Sequence, residues 1–129
     1  MGGSTFVFIE SKTFEFAIEE GGSFFLLRIY ERGRNSVRSI CMGKESAKRF
    51  LLHVEELLSK QKPSQFARLV REGDRVLILK LGSNAHGSFL LFSELVNGHR
   101  RGSIVIPEWK SGSGWRGFGM HLRKIYPSN

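Results

Sequence analysis

The sequence predicts an α+β domain built from two copies of one unit, each a run of antiparallel strands followed by a helix. Three observations predict it. Residues 12–58 can be laid over residues 75–125 with apolar positions, turns and order in step. Period-two alternation fills the first part of each copy, and helical spacing of apolar residues closes each copy. Lys12-Thr13-Phe14 matches Arg75-Val76-Leu77, and Phe16 and Ile18 match Leu79 and Leu81. Leu26–Glu31 matches Phe89–Glu94, and Ser39–Met42 matches Ser103–Ile106. A unit of about fifty residues rarely buries its apolar face alone, so a pair implies one composite domain. Its parts are repeat one at about 5–60, a connector at 61–74 and repeat two at about 75–126.

The elements follow in order. Phe14, Phe16 and Ile18 alternate with Thr13, Glu15 and Ala17, the pattern of a half-buried strand. Glu20-Gly21-Gly22-Ser23 is turn chemistry, and Phe24–Glu31 returns as the second strand of a hairpin. Arg32-Gly33-Arg34-Asn35 is another turn, and Ser36–Met42 a third strand. A fourth strand comes from a split of the long middle segment or from Thr5–Glu10. Ala47, Phe50, Leu51, Val54, Leu57 and Leu58 form one helical stripe, so a helix is expected over about 44–60. In the connector, Phe66, Leu69 and Val70 suggest a short helical turn.

Repeat two reads as strands at Arg75–Leu81, Ser88–Glu94 and Gly102–Ile106, with turns at Gly82–Gly87 and Asn97-Gly98. Glu108–Gly114 is rich in Gly and Ser and is expected to be mobile. Trp115, Phe118, Leu122 and Ile125 share a helical face, which places a last helix over about 114–125. Gly117 and Gly119 weaken that helix by about 1 kcal/mol each, so tertiary packing must hold it. The helices are expected to back the apolar faces of the strands.

The chain of 129 residues carries a formal charge of +8. Residues 1–62 hold ten Lys/Arg and eight Asp/Glu, whereas residues 63–129 hold ten and four. A pI of about 10.2 favours an anionic partner through long-range attraction. No apolar run approaches the ~20 residues of a membrane span, and no basic start followed by an apolar block marks a signal peptide. The lone Cys41 cannot form an internal disulfide and fits a reducing compartment, so an intracellular place is expected, in nucleus or cytoplasm, with an organelle as the alternative. His53, His86, His99 and His121 share no metal-ligand spacing. Gly112–Gly117 lacks the Lys-Ser/Thr of a phosphate-binding loop, and the acids of the second half form no evident pair. Neither catalysis nor a cofactor is expected.

Asn84-Ala85-His86-Gly87-Ser88-Phe89-Leu90-Leu91-Phe92-Ser93-Glu94 resembles the hallmark of PUR repeats, Asn-Ala-Lys-Gly-Arg-Phe-Leu-Lys-Ile-Ala-Glu. Leu26–Glu31 resembles a looser copy of the same element, and Lys12-Thr13-Phe14 resembles the Lys-Arg-Phe that opens a PUR repeat. The resemblance covers nearly the whole chain. It implies two ββββα units intertwined in one domain, an architecture related to that of the plant Whirly proteins. It also implies binding of single-stranded DNA or RNA, in transcription or RNA regulation. The chain departs from the family at His86-Gly87-Ser88, where two hairpin cations are lost, and at Leu91, where the inner cation is lost. In the first copy that cation is kept as Arg28.

Alternation assigns an outer sheet face holding Phe24, Leu26, Arg28, Tyr30, Lys80, Phe89 and Leu91, with Val37, Ser39, Cys41, Arg101, Ser103 and Val105. Rings beside guanidinium groups can stack bases and pair phosphates without reading base edges. The same rings can instead be buried against a dimer mate or the other repeat. Two basic hairpins are further candidates: Arg32, Arg34 and Arg38 in the first copy, and His99, Arg100 and Arg101 in the second. A third candidate is Trp109-Lys110, where an exposed indole beside a cation can clamp a base, while Trp115 fits the core stripe. The expected nucleic-acid contacts are Lys12, Arg28, Tyr30, Arg32, Arg34, Arg38, Lys80, His86, Phe89, Arg100, Arg101, Trp109 and Lys110. The rival reading is a protein-interaction or dimerisation module on the same scaffold.

Overall fold

The computed structural model describes residues 2–60 and 65–125. The first copy supplies β1 (Gly2–Ile9), β2 (Lys12–Gly21), β3 (Phe24–Arg32), β4 (Val37–Met42) and α1 (Lys44–Leu58). The second supplies β5 (Ala67–Glu72), β6 (Arg75–Asn84), β7 (Gly87–Val96), β8 (His99–Pro107), a short 3₁₀ turn at Lys110–Gly112 and α2 (Ser113–Ile125). The strands form two antiparallel four-stranded sheets, ordered β1-β2-β3-β4 and β5-β6-β7-β8. The fold is therefore α+β, with two ββββα units. No helix among the described residues is long and apolar enough to cross a membrane.

The fourth strand of each copy corrects or completes the sequence reading. In copy one it comes from the start of the chain, as β1, paired with β2 from Ile9↔Lys12 outward. In copy two it is β5, where the connector was expected to form a helical turn. Phe66 and Val70 are buried and four residues apart, a spacing that puts two side chains on one face of a helix and also on one face of a strand. Pairing with β6, Val70 opposite Leu77, decides for the strand. Residues 108–114, expected to be mobile, form an ordered turn. Gly112 N–H donates to Trp109 O at 2.8 Å, Gly114 N–H to Glu108 O at 2.8 Å, and Arg116 Nη1 to Ser111 O at 2.9 Å.

The helices are exchanged between the repeats. Phe118 of α2 packs on Phe14 and Phe16 of the first sheet, with ring centroids 5.6 and 5.0 Å away. Phe50 of α1 packs on Phe92 of the second sheet at 4.1 Å, and the two helical rings meet each other at 6.0 Å. All five rings are at most 1% exposed. Burying such a ring stabilises by about 2–3 kcal/mol, and here neither copy can do so without the other's helix. Helix α1 begins where Gly43 N–H donates to Glu72 Oε1 of β5, at 2.9 Å. Helix α2 begins against Ile9 of β1.

The close start of α2 explains Gly114. A Cβ there would lie 2.4 Å from Pro107 O and 2.8 Å from Ile9 Cγ2, both fixed by neighbouring strands. Gly117, by contrast, has open space around a Cβ. Gly114→Ala is expected to destabilise the fold by about 2–3 kcal/mol through overpacking. Gly117→Ala should stabilise it by up to about 1 kcal/mol through helix propensity. Thermal melts of the two variants should therefore move in opposite directions.

A reciprocal clasp closes the seam between the sheets. Glu31, only 5% exposed, pairs with Lys12 Nζ at 3.0 Å. Its other oxygen accepts the Val105 N–H of β8 at 2.6 Å, while Lys12 Nζ donates to Val105 O at 3.2 Å. The matched pair in copy two, Arg75 and Glu94, does the corresponding work. Arg75 Nη1 meets Glu94 Oε2 at 2.6 Å and donates to Cys41 O of β4 at 3.0 Å. Cys41 is the repeat equivalent of Val105. Copy one thus uses one cation and one carboxylate at the edge of β8, whereas copy two uses one cation, Arg75, held by both Glu94 and Glu72, at the edge of β4. Gly102 lets the two edges approach, since a Cβ there would stand 2.6 Å from Ser39 O.

Among the described residues two partly buried groups, Glu72 and His121, couple this fold to pH. Burial raises the Glu72 carboxyl, but the Ser46 hydroxyl, the Gly43 N–H and the Arg75 guanidinium outweigh it and hold the group below its ordinary value of 4.5. Burial first, then the Lys124 charge, pushes His121 below its ordinary 6.5. Its Nε2 lies 2.7 Å from Thr5 Oγ1 on β1. For both groups the unfolded chain binds the proton more readily than the folded one, so acid favours unfolding. Stability is expected to fall as pH drops below about 6.5 from His121, and again below about 4.5 from Glu72. His121→Gln should remove the first step from a plot of melting temperature against pH.

Candidate functional site

Strand register sets the outer faces. On the first sheet one row across the strands is Phe8, Thr13, Arg32 and Val37, the next Phe6, Glu15, Tyr30 and Ser39, and the next Ser4, Ala17, Arg28 and Cys41. On the second sheet, Ala67, Lys80, Leu91 and Val105 form one row. The residues expected to face the helices, Leu27, Ile29, Leu90 and Phe92, are all at most 1% exposed.

Five of the predicted site residues meet around one cavity of about 300 Å³: Lys12, His86, Phe89, Trp109 and Lys110. Glu10, from the β1–β2 turn, and Glu108 also line it. The β6–β7 hairpin turns at Ala85-His86, where Asn84 Oδ1 accepts the His86 N–H at 2.8 Å. Phe89 is not a free platform: its ring lies over Gly82, directly across the strands, where a Cβ would come within 2.7 Å. Trp109 is 38% exposed, with Lys110 Nζ 4.8 Å from its ring centroid. Its backbone, at φ 52 and ψ 144, occupies a region natural to glycine. The 3₁₀ turn after it and the start of α2 hold it there.

Three more meet at the seam. Val37, Arg38 and Ser39 of β4 face Arg100, Arg101, Gly102 and Ser103 of β8 across a groove of about 460 Å³. Arg101 is the extra residue of a bulge, since Gly102 pairs with Glu94 and Arg100 with Leu95. Arg100, rather than Arg101, therefore takes the outer-face position. Among the described residues no acidic side chain lines this groove and none forms an ion pair with its three arginines. The nearest acids in register, Glu31 and Glu94, are used by the two clasps.

The remaining predicted residues line neither cluster, although Tyr30 and Arg32 stand opposite the groove residues Ser39 and Val37. Arg28 and Tyr30 are half-buried on the first outer face. Arg32 pairs with Glu15 at 2.8 Å and lies over the Tyr30 ring at 5.1 Å, so one face of that ring is already covered. Arg34 sits exposed in the β3–β4 turn, and Lys80 is exposed on the second sheet. Lys12 lines the cavity, but its charge is matched by Glu31.

The two clusters differ electrostatically. The cavity balances Lys12 and Lys110 against Glu10 and Glu108, with the Lys12 charge already engaged, so it has rings and hydrogen-bonding groups but no surplus of positive charge. The groove has charge and no rings. Strand β8 joins them: six residues from Arg101 to Pro107 span about 20 Å. Glu10, Glu108 and Asn84 at the cavity, and Phe6 and Phe8 on the outer face, were not among the expected site residues. Period-two alternation at Phe6 and Phe8 was the available signal for the last two. Among the described residues no group of His, Cys, Asp and Glu could hold a metal ion. No protein-family model and no curated protein matches the chain.

Proposed function

We propose that this chain is a PUR/Whirly-like module that binds single-stranded DNA or RNA by phosphate neutralisation and ring stacking. The observation that carries the reading is the convergence of Arg38, Arg100 and Arg101 at a groove without acids, in a chain of net charge +8. The repeat pattern and the resemblance of Asn84–Glu94 to the PUR hallmark support it.

Phosphates of the bound strand lie in the groove, where each neutralised charge releases counterions. About 20 Å along β8, a base enters the cavity beside Trp109. An unpaired strand has the flexibility and the free ring faces for this, whereas a duplex hides its ring faces in the stack. At about 300 Å³ the cavity is at the small end of ligand sites and suits one base rather than several. Lys12 belongs to the clasp and acts on the fold first. Arg28 and Lys80 extend a basic surface on either side, with the uncovered face of the Tyr30 ring beside it, while the Arg32 charge is matched by Glu15.

Fluorescence polarisation with a labelled single-stranded oligonucleotide, run across salt, tests the reading. Binding at micromolar protein in low salt is expected, with a steep fall as salt rises. No binding under those conditions removes it, and a duplex bound as tightly as the single strand removes the stacking part. The second reading, a protein-interaction or dimerisation module, is favoured by exposed rings at Phe6 and Phe8. Light scattering with and without oligonucleotide separates the two.

A further inference from the structure

The two sheets have four outer edges, and three are dealt with. The edges of β4 and β8 face each other across the seam, with Gly102 against Ser39 O, and each gives one residue, Cys41 or Val105, to a clasp. The edge strand β5 (Ala67–Glu72) carries Arg68, Arg71 and Glu72 within six residues, the charged composition that blunts strand pairing. Its repeat equivalent β1 has no such protection. Over eight residues, Gly-Gly-Ser-Thr-Phe-Val-Phe-Ile, it carries no charge and no proline. Phe6 and Phe8 on it are 50% and 74% exposed. The copies of one unit thus differ sharply at the one edge each leaves open.

Hairpin geometry says which backbone groups are free. The β1–β2 turn has two residues, Glu10 and Ser11, and is closed by Ile9↔Lys12. A pair flanking a two-residue turn exchanges hydrogen bonds, and so does every second pair after it: Val7↔Phe14, Thr5↔Phe16 and Gly3↔Ile18. The N–H and C=O of Ser4, Phe6 and Phe8 therefore point out of the sheet. These are also the residues whose side chains stand on the outer face.

We infer that a second copy of this chain pairs with β1 along this edge, antiparallel and about a two-fold axis at Phe6. In that register Phe6 stands opposite Phe6 of the second copy and Ser4 opposite its Phe8. All the outward groups meet, giving about six hydrogen bonds between copies. Residues directly opposite lie about 5.5 Å apart, so the Phe6 rings touch, with the Phe8 rings beside them. The register is self-complementary, as a closed two-fold contact requires. Charge selects the same partner: in a molecule of net charge +8, a neutral strand is where two like molecules approach with least repulsion. The two first sheets then become one continuous sheet of twice the width.

Sedimentation equilibrium of the full chain without nucleic acid tests this, so its outcome is independent of any oligonucleotide result. A mass rising toward that of the dimer below about 100 μM is expected. Phe6→Lys sets like charges opposite each other and should weaken the dimer at least about tenfold. The Phe6 side chain is half exposed, so the variant's melting curve reports whether the monomer is intact. Mixing Phe6→Lys with Phe6→Glu should restore association. A wild-type chain that stays monomeric at about 100 μM overturns the inference. So does a dimer that Phe6→Lys leaves intact, or one broken instead by Arg28→Glu, which places the contact on the sheet face. A complementary mixture that stays monomeric also overturns it.

Discussion

Glu31→Ala lowers the free energy of unfolding by about 3 kcal/mol, the scale of losing one partner of a buried ion pair. The substitution strips the Lys12 ammonium of its counter-charge and leaves the Val105 N–H facing an apolar side chain. Both consequences fall on the seam between the repeats, where one side chain serves two partners in different strands. The Lys12→Ala Glu31→Ala double variant is expected to lose less than the sum of the single variants, because the stranded charge is removed with its partner. Urea unfolding followed by circular dichroism measures both. Glu94→Ala should cost less than Glu31→Ala, because Arg75 keeps Glu72 as a second carboxylate. A Glu31→Ala protein within about 0.5 kcal/mol of the parent would mean that the clasp does not hold the seam.

On the proposed reading, replacing Arg38, Arg100 and Arg101 together by alanine is expected to weaken single-strand binding about a hundredfold at 0.1 M salt. The figure follows from counterion release. Each phosphate contact on a single strand contributes about −0.7 to the slope of log K against log salt, so three contacts contribute about −2. With the non-electrostatic part unchanged at 1 M salt, that slope amounts to about two decades at 0.1 M. The triple variant should show both the weaker binding and the flatter slope, and its melting curve should stay close to the parent's, since none of the three arginines pairs with an acid. Unchanged affinity and slope would place the strand elsewhere on the molecule. Trp109→Ala, in contrast, should lower affinity by the ~1–3 kcal/mol of a stacked base while leaving the salt slope alone.

The two-unit pattern was visible in the chain because strand and helix periods are local. Phe14, Phe16 and Ile18 must alternate to bury one face, and Phe50, Val54 and Leu57 must recur at helical spacing to bury another. Such patterns survive without knowledge of what lies opposite. They fail where two periods coincide, as at Phe66 and Val70, four residues apart and equally at home on one face of a helix or a strand. The register with β6 settled that case. The turn at 108–114 misled in another way: its glycines read as freedom, yet Gly112 and Gly114 allow a close approach that fixes Trp109 in place.

The candidate site was legible as residue types and not as groupings. Arg32, Arg34 and Arg38 are near neighbours in the chain, yet Arg32 turns to Glu15 and Tyr30 while Arg38 joins Arg100 and Arg101 from the other repeat. Lys12 has the chemistry of a phosphate ligand and is employed as half of a clasp whose target lies 93 residues away.

Period, the two-unit order and net charge follow from the order of residues, because backbone geometry and simple counting act locally or not at all. Which cations remain free to meet an anion followed only from the packed molecule. Whether a charge is neutralised depends on what stands within about 4 Å of it, and here those neighbours are delivered by exchanged helices and a seam between strands from opposite halves of the chain.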